Sequence, residues 1–166
     1  LDAASVRSTD EVIRGYEEQM AAIEKAGGRL IVMASRPLAR VATSPADYER
    51  VYARVLSQAK APVIIHWLGE MFDPALAGYW GSADHMVAMK TAIEIINAHA
   101  TKVDGVKISL LDKEKEIVMR RQLAKGGATV VAVDNQQAYL DEIAAEVRDL
   151  GGTIHTLTAD LMDVAE

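Results

Sequence analysis

The chain has 166 residues and a net charge of −6, with half of its residues hydrophobic and a quarter charged. That balance suits a globular domain with a sizeable core, and the acidic excess disfavours a general affinity for nucleic acid or an anionic membrane. Cysteine is absent, which excludes disulfides, thiolate metal sites and thiol nucleophiles.

The elements alternate along the chain. Thr9 and Asp10 are candidate N-caps for "EVIRGYEEQMAAIEKAGG", where Val12, Ile13, Tyr16, Met20 and Ile23 follow helical spacing and Gly27-Gly28 is the stop. "RLIVMAS" reads as a strand. "SPADYERVYARVLSQAK" reads as a helix with Ser44 as N-cap and Pro45 at its first position. "PVIIHWL" is the second strand, and "GEMFDPALAGYWG" is a long connection with a helical turn at Pro74–Ala77. A helix over "SADHMVAMKTAIEIINAHATK" leads to a third strand, "DGVKISLL". "DKEKEIVMRRQLAKGG" is a helix capped by Asp112, "ATVVAVD" the fourth strand, "NQQAYLDEIAAEVRDLGG" a helix and "TIHTLTAD" the fifth strand.

Strand alternating with helix predicts an α/β fold with a parallel five-stranded sheet, because parallel neighbours need crossover connections. The first four strands are nearly continuous apolar runs, which predicts burial on both faces. Two arrangements satisfy this: a flavodoxin-like or Rossmann-like three-layer sheet, or a half-barrel-like sheet completed by oligomerisation. No linker divides the chain, so residues 1–166 read as a single domain. No apolar run approaches the roughly 20 residues that span a bilayer, and "LDAASVRSTDEV" has no apolar signal core. A cytoplasmic protein with no membrane or nucleic-acid partner is expected.

Two stretches carry family resemblances. "VIRGYEEQMAAIEKAGGRLIVMASRPLARVA", "PVIIHWLGEMFDPALAGYWGS" and "KVDGVKISLLDKEKEI", within residues 9–121, resemble an uncharacterised, DUF993-like family of TIM-barrel proteins related to dihydrodipicolinate synthase. In the wider lyase superfamily a strand ending in Gly-x-Lys supplies a Schiff-base lysine, which the resemblance places at Lys107. The preceding strand there ends in a proton-relaying tyrosine, where this chain has His66. "LAKGGATVVAVD" and "LGGTIHTLTADLMD", within residues 122–166, resemble the Rossmann domain of a short-chain dehydrogenase. That resemblance assigns Asp134 to an adenosine ribose and Asp160 to the adenine surroundings. It also calls for a Gly-rich turn where Glu114, Lys115 and Glu116 stand, and that substitution opposes pyrophosphate binding.

The combined expectation is a chimera of a barrel segment and a Rossmann segment, engineered or recombinant, joined inside "KEIVMRRQLAKGG" and retaining no native enzyme activity. The alternatives are a Schiff-base lyase or aldolase acting through Lys107, with His66 as proton shuttle, and a weak NAD(P)-binding module using Asp134. No cofactor is expected. His85, His99 and His155 are dispersed, so no metal site is expected. If the helices gather on one face of a sequentially ordered sheet, the other exposes Ile31, Met33, Ile64 and Val130 or their alternates, and self-association as a dimer follows.

Overall fold

The computed structural model describes residues 4–126, 129–134 and 136–158, with the backbone alone for Val131, Val133 and Asp134. The chain divides into two compact units, Leu1–Glu116 and Ile117–Glu166.

The first unit begins with α1 (Thr9–Lys25). Its N-cap is Ser8, whose side chain accepts from the Glu11 amide, one residue earlier than the sequence suggests. The helix stops where Gly27 takes a φ of +80°, and the Gly28 amide donates back to the Ile23 carbonyl. β1 is short, Ile31–Met33. The six-residue α2 (Arg36–Val41) follows at once; its N-cap Ser35 accepts from the Leu38 amide, and Pro37 sits in its first turn. This helix was not anticipated, although a serine two residues before a proline is its signal.

α3 (Pro45–Gln58) starts at Ser44 as expected. Asp47 Oδ2 accepts from the Thr43 amide at 2.8 Å, the Thr43 hydroxyl at 3.0 Å, and the Ser44 amide at 3.1 Å. These donors, the Thr43 amide first, hold the Asp47 carboxyl below its ordinary pKa. A depressed folded-state pKa contributes stability above the unfolded value, near 3.9, and loses it as pH falls through the folded value. Asp47→Asn is therefore expected to be about 1 kcal/mol less stable than wild type at pH 7. The gap should narrow as pH falls below the ordinary carboxylate range, as urea denaturation at successively lower pH would show.

β2 (Val63–Leu68), α4 (His85–Ala98) and β3 (Val103–Ser109) complete the unit's sheet, with a single 3₁₀ turn at Pro74–Leu76 and another at Ala100–Lys102. Asp84 caps α4 by accepting from the Met86 and Val87 amides. The strands are parallel in the order β1-β2-β3. Ile31, Val32 and Met33 pair with Ile64, Ile65 and His66, while Ile64, His66 and Leu68 pair with Gly105, Lys107 and Ser109.

Alternation along these strands separates two faces. Val32, Val63, Ile65 and Trp67 are buried, and Trp67 stacks on the ring of His85, the first residue of α4. The other face carries Ile31, Met33 and Ile64, which are 59%, 49% and 38% exposed. Burial on both faces is thus corrected for this sheet. An apolar run reports strand propensity, but only the placement of helices decides which faces lose their water. Of the two alternating sets that a one-sided arrangement leaves open, the one with Ile31, Met33 and Ile64 is exposed in this sheet.

The core under the covered face is aromatic. Trp80 packs against Tyr52 at 4.7 Å between ring centroids, Tyr79 at 5.1 Å, Tyr48 at 5.9 Å and Trp67 at 6.0 Å. The segment that delivers it is tightly turned: Gly78, Trp80 and Gly81 all have positive φ. A Cβ on Gly81 would stand 2.7 Å from the Pro45 nitrogen at the start of α3. Gly81→Ala combines that clash with a left-handed backbone, so a loss of about 2 kcal/mol or more is expected by thermal or urea denaturation.

In the second unit, β4 (Thr129–Asp134) pairs in parallel with β5 (Thr153–Thr158), and α6 (Gln137–Asp149) connects them. Ala124, Ala144, Val147 and Ile154 form its core, flanked by Val130, Ala132, Ile143 and Leu150. Glu146 is paired with both Arg120 and Arg121, and these guanidinium groups hold its carboxyl below the usual range. The unit boundary falls inside α5 (Lys113–Lys125).

The protein is therefore α/β with parallel sheets, but the expected five-stranded sheet is corrected to a three-stranded and a two-stranded one. Local pattern identifies a strand and leaves open which edge it pairs with. β3 also offers few apolar contacts, since Asp104, Gly105 and Lys107 interrupt it.

Candidate functional site

Three polar residues share one face toward the C-terminal end of the three-stranded sheet. β2 brings His66, and the paired register sets Lys107 of β3 beside it. Ser109 lies two residues beyond Lys107 on the same strand face. His66 is 8% exposed, and its Nε2 lies 3.1 Å from Ser109 Oγ. Burial lowers the imidazole pKa below its ordinary value, and the neighbouring Lys107 charge lowers it further. The ring is thus biased to the neutral form, which can accept a proton near pH 7. Lys107 is exposed, so its amine is free to meet a solute. Met33 pairs with His66 on the other side and extends the apolar flank of the site.

A primary amine, a neutral imidazole and a hydroxyl are the groups that imine formation uses. The amine attacks a carbonyl, and the other two move protons. Sequence reasoning singled out Lys107 and His66 but missed Ser109. Period-2 alternation was the available signal, since it sets Ser109 on the same face as Lys107.

A second group of hydroxyls gathers at the end of β1 and the start of α2. Tyr16 Oη donates to the Met33 carbonyl at 2.7 Å, Tyr79 Oη accepts from the Ser35 amide at 3.1 Å, and the Tyr52 and Tyr79 hydroxyls are 3.1 Å apart. Burial raises all three phenol pKa values, that of Tyr16 to about 12. They remain protonated and serve to anchor the segment after β1.

The nucleotide candidates fare differently. The Asp134 backbone ends β4 opposite Thr158, but its side chain lies outside the described residues, as does Asp160. Where a pyrophosphate turn would precede α5, the Lys115 amide donates to Asp112 Oδ1 at 3.1 Å and the Leu110 amide to Glu116 Oε1 at 3.2 Å. The chain's own carboxylates occupy those donors. Among the described residues, no group of three or more His, Asp or Glu is arranged to hold a metal ion, and no helix is long and apolar enough to cross a membrane.

Comparison with curated proteins matches none of them. A family model described as "Protein of unknown function (DUF993)" matches residues 1–145, which takes in the Lys107, His66 and Ser109 strands and continues through β4 into α6, past Arg121. The chain belongs to this DUF993 family.

Proposed function

We propose that the open face of the three-stranded sheet is a carbonyl site, in which Lys107 forms a Schiff base with a small keto or aldehyde compound in a lyase- or aldolase-type reaction. The observation that supports this is the meeting of Lys107, His66 and Ser109 on one face, at the strand ends where parallel α/β folds place their chemistry. His66 is the proton acceptor and donor, in the position that a tyrosine takes in the lyases this sequence resembles. The face is open, so we also infer that a second copy of the chain covers it. Burial of its apolar side chains supplies the drive, at about 2.5 kcal/mol for each 100 Å² removed from water.

The test is reductive trapping with pyruvate and cyanoborohydride, followed by peptide mapping. Lys107 should be modified well ahead of Lys90, whose side chain is 75% exposed and serves as the internal reference. Lys107→Ala should remove the fast adduct and leave the slow ones. Equal labelling of Lys107 and Lys90 would overturn the reading.

That outcome would favour a second reading: a chimeric α/β scaffold, engineered or recombinant, without native activity. In its favour, the chain's division into units falls inside α5, the helix where a junction of two parents was expected. Against a junction at Arg121, the family match continues to residue 145. The location in either reading is the cytoplasm.

A further inference from the structure

Imine formation needs a path by which a proton reaches the oxygen that leaves as water. His66 is 8% exposed, and its Nε2 lies 3.1 Å from the Ser109 hydroxyl in a part-buried contact. A proton that enters or leaves the ring at that nitrogen passes through Oγ. Ser109 is itself only partly buried. It stands on the same strand face as Lys107, about 6–7 Å along the backbone, within the sweep of an adduct carried on a four-carbon lysine stem.

We propose that Ser109 is a catalytic residue of the Lys107 site: its hydroxyl relays a proton between His66 Nε2 and the oxygen expelled when Lys107 condenses with a carbonyl compound. This rests on the Schiff-base reading of Lys107. Neutral His66 takes a proton at Nε2, through Ser109 Oγ, from the Lys107 ammonium. The freed nitrogen lone pair forms the C–N bond, and the carbonyl π pair moves onto oxygen. That oxygen takes a proton from the adduct nitrogen, giving a carbinolamine. The imidazolium then passes its Nε2 proton to Ser109 Oγ as Ser109 gives its own proton to the carbinolamine hydroxyl. The C–O bond breaks, water leaves, and the nitrogen lone pair closes the C=N bond. One ammonium and one carbonyl become one protonated imine and one water, with His66 and Ser109 restored.

The charged group coupled to His66 is Lys107, from β3; β1 presents Met33 at the paired position, and β2 itself places Ile64 and Leu68 on that face. Positive charge on the Lys107 nitrogen makes protonation of the ring harder, so the ring takes a proton more readily once the lysine is neutral and gives it up more readily as the iminium charge forms.

The experiment is the rate of cyanoborohydride trapping of pyruvate at Lys107 from pH 5 to 9, for the full chain and for Ser109→Ala, Ser109→Thr and His66→Asn. A relay of this kind belongs to general acid–base catalysis, typically about 10²–10⁴-fold. With water able to replace the hydroxyl in part, Ser109→Ala should slow Lys107 labelling by at least about tenfold. It should also flatten the pH profile to resemble that of His66→Asn. Ser109→Thr keeps the hydroxyl and should stay within about twofold of wild type. Labelling of Lys90 should be unchanged in all of them. If Ser109→Ala traps pyruvate at the wild-type rate while Lys107 still outpaces Lys90, the relay is wrong and the Schiff-base reading stands. If Lys107 never outpaces Lys90, both fall. If Ser109→Thr fails as Ser109→Ala does, the hydroxyl is not the operative group and the relay is overturned.

Discussion

Replacing Trp80 by alanine should cost about 3–5 kcal/mol, the range for emptying a large aromatic site in a core. Trp80 is 1% exposed and stands at the centre of Tyr48, Tyr52, Trp67 and Tyr79, the cluster that joins α3, β2 and the Gly78–Gly81 turn. Of two unfavourable features at this position, only one offsets part of the loss. Its indole Nε1 is buried without a hydrogen-bond partner among the described residues, and its φ of 72° is unfavourable for a residue with a Cβ. Alanine removes the first and keeps the second. Trp80→Phe keeps most of the contact area and removes the unpaired N–H, so it should cost less than half as much. Urea denaturation of the three proteins checks this, and a loss below about 1 kcal/mol for Trp80→Ala would mean that the cluster is not the core it resembles.

The second large effect concerns assembly. Light scattering should give twice the chain mass of 18.0 kDa, because Ile31, Met33 and Ile64 form a contiguous apolar row on the open face. Ile64→Asp puts a carboxylate in the middle of that row. Burying it unpaired costs several kcal/mol, so the dimer should weaken by roughly a hundredfold or more. The same variant leaves the covered face untouched, so its circular dichroism should match wild type. A wild-type chain that stays monomeric at high concentration would show that the face is left to water. Combined with the trapping experiment, the dilution series carries a further consequence. If a second copy encloses Lys107, selective labelling should fall as the protein is diluted below its dissociation constant.

Much of this architecture is legible in the residues because its causes are local. Ser44-Pro45 starts α3, Asp84 and Asp112 cap their helices, and Gly27 supplies the left-handed turn that stops α1. The short α2 was equally local, yet easy to overlook, since six residues show too little of the 3.6-residue period to stand out beside a strand. For the site, Gly105-Val106-Lys107 pointed to the lysine and "PVIIHW" to the histidine, both through resemblance to lyases. The Ser109 partner needed the β2–β3 register, which no single segment contains.

The order and kind of the longer elements, several of the caps that bound them and membership of an α/β class were thus determined by the sequence alone, through interactions spanning a few residues. Tertiary structure decided that the described strands pair as three and two instead of five. It also decided that one face of β1 and β2 remains open, and that an imidazole, an amine and a hydroxyl share it. The reason is physical. Strand propensity and alternation depend on the chain's own dihedral angles and side-chain period. Edge pairing, burial and the meeting of polar groups depend on hydrogen bonds and excluded water between segments tens of residues apart, which many sequences of the same pattern satisfy in different ways.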